Sequence, residues 1–338
     1  LPFHWNYIMF LQNDDVLLKS NDELVHIYQL LNGSNDWEML FCRDCRCVKA
    51  LERNLGKLGL CPSGQWLLGS SSMCTSSNLT WGKGSVQVSL SRATIEYIIK
   101  RLDYSRLLAN LNALEYGSDE ELIHTLALTP ELGLPGGYTT KCLRHGYKTK
   151  VADNIFVTRL SHWSHLDKEC GGSWRHGICV FGVRDLPYLA GSPYLSANKM
   201  MVDHDYAAIA CLSELLFNRS VRGVVDHPLR DEHYLNLPQV RFDRERRKPN
   251  FNVSSFQCSL VKPTTTFTPP HSNAHITTLK LLSSIPQSNT TKVPLTKSTF
   301  SHFTNISRFD KGTSVSRLAA SMCPSTNVSR PNNISTEH

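Results

Sequence analysis

Three consecutive carboxylates, Asp119, Glu120 and Glu121, stand directly before an apolar run in YGSDEELIHTL, residues 116–126. Their spacing admits two readings. Ser118 followed by Glu121 fits the Ser-X-X-Glu capping box, in which Glu121 reaches back to the N-cap backbone. Asp119 and Glu120 then occupy the first helical turn, where the dipole favours negative charge. The same placement suits a general base, because a carboxylate at a helix N-terminus is ionised at neutral pH and is held in position. Periodicity does not choose between the two.

Two further groups carry chemistry. Asp14 and Asp15 in QNDDV close a strand-like run, and such carboxylates suit Mg²⁺ or Mn²⁺ as well as they suit an ordinary polar turn. Cys42, Cys45 and Cys47 with Cys61 have the residue types of a zinc cluster but irregular spacing. Eleven cysteines and Asn-X-Ser/Thr sequons at Asn32, Asn78, Asn218, Asn252, Asn289, Asn305, Asn327 and Asn333 favour an oxidising, lumenal or secreted setting, hence disulfides over zinc. The pairing among Cys42, Cys45, Cys47, Cys61, Cys74 and Cys142 stays open, and the odd cysteine count leaves at least one thiol free or partnered elsewhere.

These residues need elements to hold them. WNYIMFLQNDDV (5–16) reads as a buried strand, Tyr7 to Leu11, ending in a polar turn, and NDELVHIYQLL (21–31) as the amphipathic helix after it. GSVQVSLS (84–91) alternates like a strand, and 93–111 repeats apolar residues at helical spacing. HGICVFGV (176–183) is an apolar run of strand length. DYAAIACLSELLF (205–217) is a helix whose Ala207, Cys211 and Leu215 are spaced to face a core. Strands alternating with helices predict an α/β domain over residues 1–240.

The formal charge of +7 is unevenly spread. Residues 241–338 hold 13 Lys and Arg against 4 Asp and Glu, leaving 23 against 25 in residues 1–240. The folded part therefore has no nucleic-acid footprint. Beyond RERRKPN (244–250) the composition turns to Ser, Thr, Pro and Asn, so 241–338 is expected to be a basic, disordered tail. No apolar run approaches the roughly 18 residues of a membrane span. Leu1 is not a methionine and lies close to a strand-like run, so an N-terminal piece is expected upstream, able to carry a signal or membrane anchor.

Read together, YGSDEELIHTL, CGGSWRHGICVFGVRDLPYLAGSPYLSANKM (170–200) and DYAAIACLSELLFNR (205–219) resemble the core-2/I-branching β-1,6-N-acetylglucosaminyltransferases, over roughly residues 1–240. The resemblance implies a glycosyltransferase-A-like α/β fold, a mixed sheet flanked by helices and here truncated at its N-terminus. It also implies a type II Golgi enzyme with its catalytic domain in the lumen and a membrane anchor absent from this chain. The implied reaction moves N-acetylglucosamine from UDP-N-acetylglucosamine to the 6-hydroxyl of a glycan or glycoprotein acceptor, inverting the anomeric centre. The family's Ser-Pro-Asp-Glu motif ends on the catalytic carboxylate. That position is Glu120, with Ser118 in place of the proline, so Glu120 is the expected base and Asp119 and Glu121 structural.

Lys199 falls on the lysine that contacts the donor diphosphate. The companion arginine position is His176, with Arg175 one place earlier, and Arg175 is taken as the partner. Trp163 matches an acceptor-lining tryptophan, and His165 stands where tyrosine is usual. Cys170 and Cys179 keep the spacing of a local disulfide, and Cys211 falls on a disulfide position whose partner would precede Leu1. Family members work without a cofactor or metal, using basic side chains on the departing diphosphate, although an Asp pair placed like Asp14 and Asp15 holds a divalent metal in many other glycosyltransferases. A protein xylosyltransferase of the same superfamily and a non-catalytic lumenal glycan-binding protein are the alternative readings.

Overall fold

A computed structural model describes residues 4–41, 51–61, 71–114, 117–143, 156–166 and 169–259. Strands β1 (Tyr7–Met9) and β2 (Asp15–Leu17) precede helix α1 (Asn21–Leu31). Then come β3 (Leu40–Phe41), α2 (Leu55–Leu58), α3 (Ser71–Ser76), β4 (Gly82–Lys83) and β5 (Ser89–Ser91). Helices α4 (Arg92–Arg101), α5 (Ser105–Asn112), α6 (Leu122–Ala127) and α7 (Thr140–Leu143) form the middle of the chain. It ends with β6 (Arg159–Leu160), β7 (Ser173–Arg175), β8 (Ile178–Val180), α8 (Leu186–Gly191), β9 (Ser196–Asn198), α9 (Tyr206–Arg222), α10 (Asp231–Leu235) and α11 (Pro238–Glu245). The result is mixed α/β.

Local signals explain the best-read elements. α1 starts at a complete capping box, Ser20 accepting from Glu23 N and the Glu23 carboxylate accepting from Ser20 N at 2.7 Å. It ends at Asn32, whose left-handed φ of 45° closes the last turn. α9 is capped by Asp205 and stopped by Gly223 at φ 62°. Its buried stripe is Ala208, Cys211 and Leu212, with Leu215 packed alongside, so Ala207 is one position off the core.

Three expectations are corrected. The alternating run 84–91 makes a ladder only over β5, because Gly84, Ser85 and Gln87 direct their hydrogen bonds to the site described below. The long helix over 93–111 is two helices. Leu102 is extended and the Asp103 carboxylate accepts from Ser105 N, a local turn that restarts the helix. Residues 176 and 177 are no strand: His176 at φ 53° and Gly177 at φ 79° are the two-residue turn of the β7–β8 hairpin.

The central sheet runs β2–β9–β6. β2 is antiparallel to β9, with Asp15 opposite Asn198, and β6 is parallel to it, with Leu160 opposite Ala197. Met200 N donates to Asp14 O, so Lys199 leaves the sheet where Asp14 enters it. One core gathers Trp37, Leu55, Leu90, Leu107 and Leu128. A second holds Leu18, Phe181, Leu189, Ala197 and Leu212. A third joins Ile27 and Leu31 to Leu195, Tyr234 and Leu237.

Asp36 ties distant segments together. It is fully buried and accepts from Val157 N, Thr158 N, Thr158 Oγ1 and Gln239 Nε2 at 3.0, 2.6, 2.6 and 2.8 Å. Burial pushes its carboxyl up to about 6, against those four donors.

The folded part passes the expected boundary at 240, which lies within α11. Phe242, Phe251 and Phe256 stack edge to face, and Cys258 bonds Cys142. Cys61 bonds Cys74. The zinc reading otherwise rests on Cys42, Cys45 and Cys47, outside the described residues. Cys211 is disulfide-bonded, and its partner lies outside the described residues.

Candidate active site

The three acids of 119–121 do not form a capping box. Gly117, at φ 84°, turns the chain so that Ser118–Glu120 is already a helical turn, whereas an N-cap residue must be extended. α6 starts after Glu121 with no side-chain cap. The acids separate instead by environment. Glu121 is buried at 7% exposure, its Oε2 has no hydrogen-bond partner among the described residues, and burial raises its pKa against the pull of Lys83. The Glu120 side chain keeps 33% of its surface exposed and takes Lys83 Nζ on Oε2 at 2.9 Å.

The segment Lys83–Gly84–Ser85 holds this carboxylate and a second one. Gly84 N donates to Glu120 O at 3.1 Å, and Ser85 N donates to Glu38 Oε2 at 2.9 Å. Gly84 must be glycine, because a Cβ there would lie 2.3 Å from Glu38 O and 2.5 Å from the His124 ring. His124 is buried, and burial pushes it down to about 4, so it is a neutral packing group. Glu38 is raised by burial and by the Glu120 charge, against Arg159 and the Ser85 amide.

Arg159, at the start of β6, extends the network towards the sheet. It donates from Nη1 to Ser85 Oγ and Gln87 Oε1, both at 2.8 Å, and from Nε to Ser161 Oγ at 2.6 Å. Gln87 Nε2 passes the connection to Asp15 Oδ2 at 2.7 Å. Glu38, Lys83 and Arg159 were missed in the sequence. The available signals were a carboxylate between buried Trp37 and Met39, and an arginine opening the run before Trp163.

The remaining expected residues lie around the β7–β8 hairpin. Lys199 is half-buried, its N–H on Cys179 O and its carbonyl accepting from Phe181 N. Arg175 is exposed at the end of β7, with Nη1 3.0 Å from Met201 Sδ, two residues beyond Lys199. The shift from His176 to Arg175 therefore still brings a guanidinium to the segment that carries Lys199. Trp163 bridges Ile178, which pairs with Arg175, so the three share one face of the hairpin. The indole is 36% exposed and sits 6.0 Å from the His165 ring. Cys170 and Cys179 are disulfide-bonded, bracing β8 beside Lys199.

Asp15 opens β2, and Asp14 immediately precedes it. Asp15 Oδ2 is taken by Gln12 N and Gln87 Nε2, and its Oδ1 is buried without a partner. Among the described residues no group of three or more His, Cys, Asp or Glu is gathered for a metal.

The Core-2/I-branching enzyme profile matches residues 1–190, which include Glu38, Lys83, Glu120, Arg159, Trp163 and Arg175. The chain belongs to the Core-2/I-branching enzyme family. Relatives of this branching family named beta-1,3-galactosyl-O-glycosyl-glycoprotein beta-1,6-N-acetylglucosaminyltransferase include the Homo sapiens protein, 27% identical over 230 residues, covering 64% of this chain and 50% of the relative. The Bos taurus protein is 28% identical over 229 residues, with 64% and 50% covered. The protein of Bovine herpesvirus 4 (strain DN-599) is 24% identical over 228 residues, with 65% and 49% covered. The chain thus spans about half the length of the curated branching enzymes it matches.

Proposed function

We propose that the complete protein is a lumenal, Golgi-type, inverting glycosyltransferase with a glycosyltransferase-A-like fold. It transfers N-acetylglucosamine from UDP-N-acetylglucosamine to the 6-hydroxyl of an O-glycan acceptor. The observation that carries this reading is the separation of the acids: Glu120 is partly exposed and anchored by Lys83, while Glu121 is buried. A base must present an oxygen to the acceptor hydroxyl, and Glu120 meets that need.

In the reaction the acceptor oxygen attacks the anomeric carbon from the face opposite the diphosphate. Its proton passes to Glu120 and the bond from carbon to the diphosphate oxygen breaks. Lys199 and Arg175 stabilise the charge on the departing UDP, a role that fixed cations fill without a metal. Trp163 offers an aromatic face to the acceptor sugar. A membrane anchor upstream of this chain would hold the domain in the Golgi; among the described residues no helix is long and apolar enough to cross a membrane.

The test is transfer of labelled N-acetylglucosamine from its UDP donor to a core-1 O-glycan by the full lumenal domain, with and without EDTA, beside a panel of other UDP-sugars. Transfer that survives EDTA is the expected result. Transfer of xylose to a serine-containing peptide, or acceptor binding with no turnover of any UDP-sugar, would replace this reading with one of its alternatives.

A further inference from the structure

Arg159 is placed unusually for an interior cation. Its three hydrogen bonds go to neutral oxygens of Ser161, Ser85 and Gln87, and none of the ion pairs among the described residues includes it. Yet three carboxylates act on it electrostatically: Glu38, Asp15 and Glu120. They come from three separate parts of the chain. Two of them are built into the hydrogen-bond network around Arg159, Glu38 through Ser85 N and Asp15 through Gln87, while Glu120 adjoins it through its backbone carbonyl, which accepts from Gly84 N next to Ser85.

We propose that Arg159 is a positioning residue for the transfer reaction, the counter-charge that lets Glu38, Glu120 and Asp15 stand together at the site. The physical need is plain. Three carboxylates approaching one another in a partly dry site repel, and each is costly to bury without compensation. A guanidinium keeps its charge under all working conditions and can donate in several directions at once. By spending its hydrogen bonds on Ser85, Gln87 and Ser161, Arg159 is fixed among the acids without blocking the carboxylate oxygens of any of them. Glu120 thereby keeps an oxygen for the acceptor, and Glu38 stays partly open beside it. The other charged and titratable groups nearby are Lys83, paired with Glu120, the buried Glu121, whose carboxyl is raised by burial and by Glu120, and His124, neutral behind Gly84. Burial raises Glu38 and Arg159 opposes that rise, in agreement with this role.

The inference rests on the transfer reading, and its test has one arm that does not. In the complete protein, Arg159→Met and Arg159→Lys are compared with wild type in transfer kinetics, UDP affinity, and thermal melting at pH 5 and pH 7.5. Arg159→Met is expected to lower kcat by on the order of 10–100-fold, the size of effect that misplacement of a reacting group produces. UDP affinity should stay within about twofold, because Lys199 and Arg175 are untouched. The Tm deficit of Arg159→Met should be larger at pH 7.5 than at pH 5, because burial raises the Glu38 carboxyl and lower pH moves it towards its neutral form, which needs no counter-charge. Arg159→Lys should recover the pH-dependent part of the deficit.

A merely structural role, loss of three neutral hydrogen bonds, gives the same Tm deficit at both pH values, and that result overturns the proposal. So does an Arg159→Met enzyme with wild-type kcat. Absence of transfer by the wild type sinks the transfer reading alone, and the melting arm still decides on Arg159.

Discussion

Glu120 and Glu121 are chemically the same side chain on consecutive residues, and they end in opposite surroundings. Lys83 and solvent meet the first; the core closes over the second. Glu120→Gln should lower kcat for transfer by about 10²–10⁴-fold while UDP affinity is retained, as loss of a base requires. Single-turnover kinetics with a UDP-binding titration would show it. Glu121→Gln should behave differently. Its folded carboxyl is raised above the ordinary value, so the stability linked to it is present below the unfolded value and is lost as pH rises through the folded one. The amide should therefore gain Tm over wild type at pH 7.5, lose that advantage near pH 4, and keep transfer activity. An inactive, folded Glu121→Gln would reverse the assignment of the base.

At the scale of elements, the end of β4 and the turn after it matter most, because Lys83 pairs with the Glu120 carboxylate, Gly84 N with the Glu120 backbone carbonyl and Ser85 N with the Glu38 carboxylate. Gly84→Ala places a methyl against the Glu38 carbonyl and the buried His124 ring, neither of which can move far. We expect a loss of roughly 1–3 kcal/mol in urea unfolding, the usual cost of overpacking, together with lower transfer activity. Helix ends were legible in the sequence where the signal is local: Ser20 with Glu23, Asp205 and Gly223 cap their helices as their types suggest. The Ser118–Glu121 pair has the same signature and fails, because Gly117 adopts a left-handed turn that begins the helix early. Strand length was overread at 84–91 for a related reason. A strand needs a partner along its whole length, and Ser85 and Gln87 instead serve Glu38, Arg159 and Asp15.

For the molecule as a whole, the fold extends past residue 240 by closing α7 onto the segment that follows α11. The Cys142–Cys258 bond spans 116 residues, and Lys141 Nζ donates to the Ser254 and Phe256 carbonyls at 2.6 and 3.0 Å. Replacing both cysteines with serine should cost about 2–5 kcal/mol, read as a lower Tm under oxidising conditions and no further drop on adding reductant specific to this bond. An unchanged Tm would mean that the aromatic packing of Phe242, Phe251 and Phe256 alone holds the segment. The sequence by itself determined what rests on neighbours in the chain: the α/β alternation, the caps, the oxidising setting, and the ordered motifs that resemble the branching enzymes. Composition placed the boundary too early, because three phenylalanines and one cysteine are few in number but sufficient to dock a segment. Only the tertiary structure decided that Asp119 is exposed, Glu120 half-buried against Lys83 and Glu121 buried, and that Glu38 and Arg159 gather in the same region. Those residues lie tens of positions apart, and their meeting depends on sheet register and burial, which no local pattern encodes.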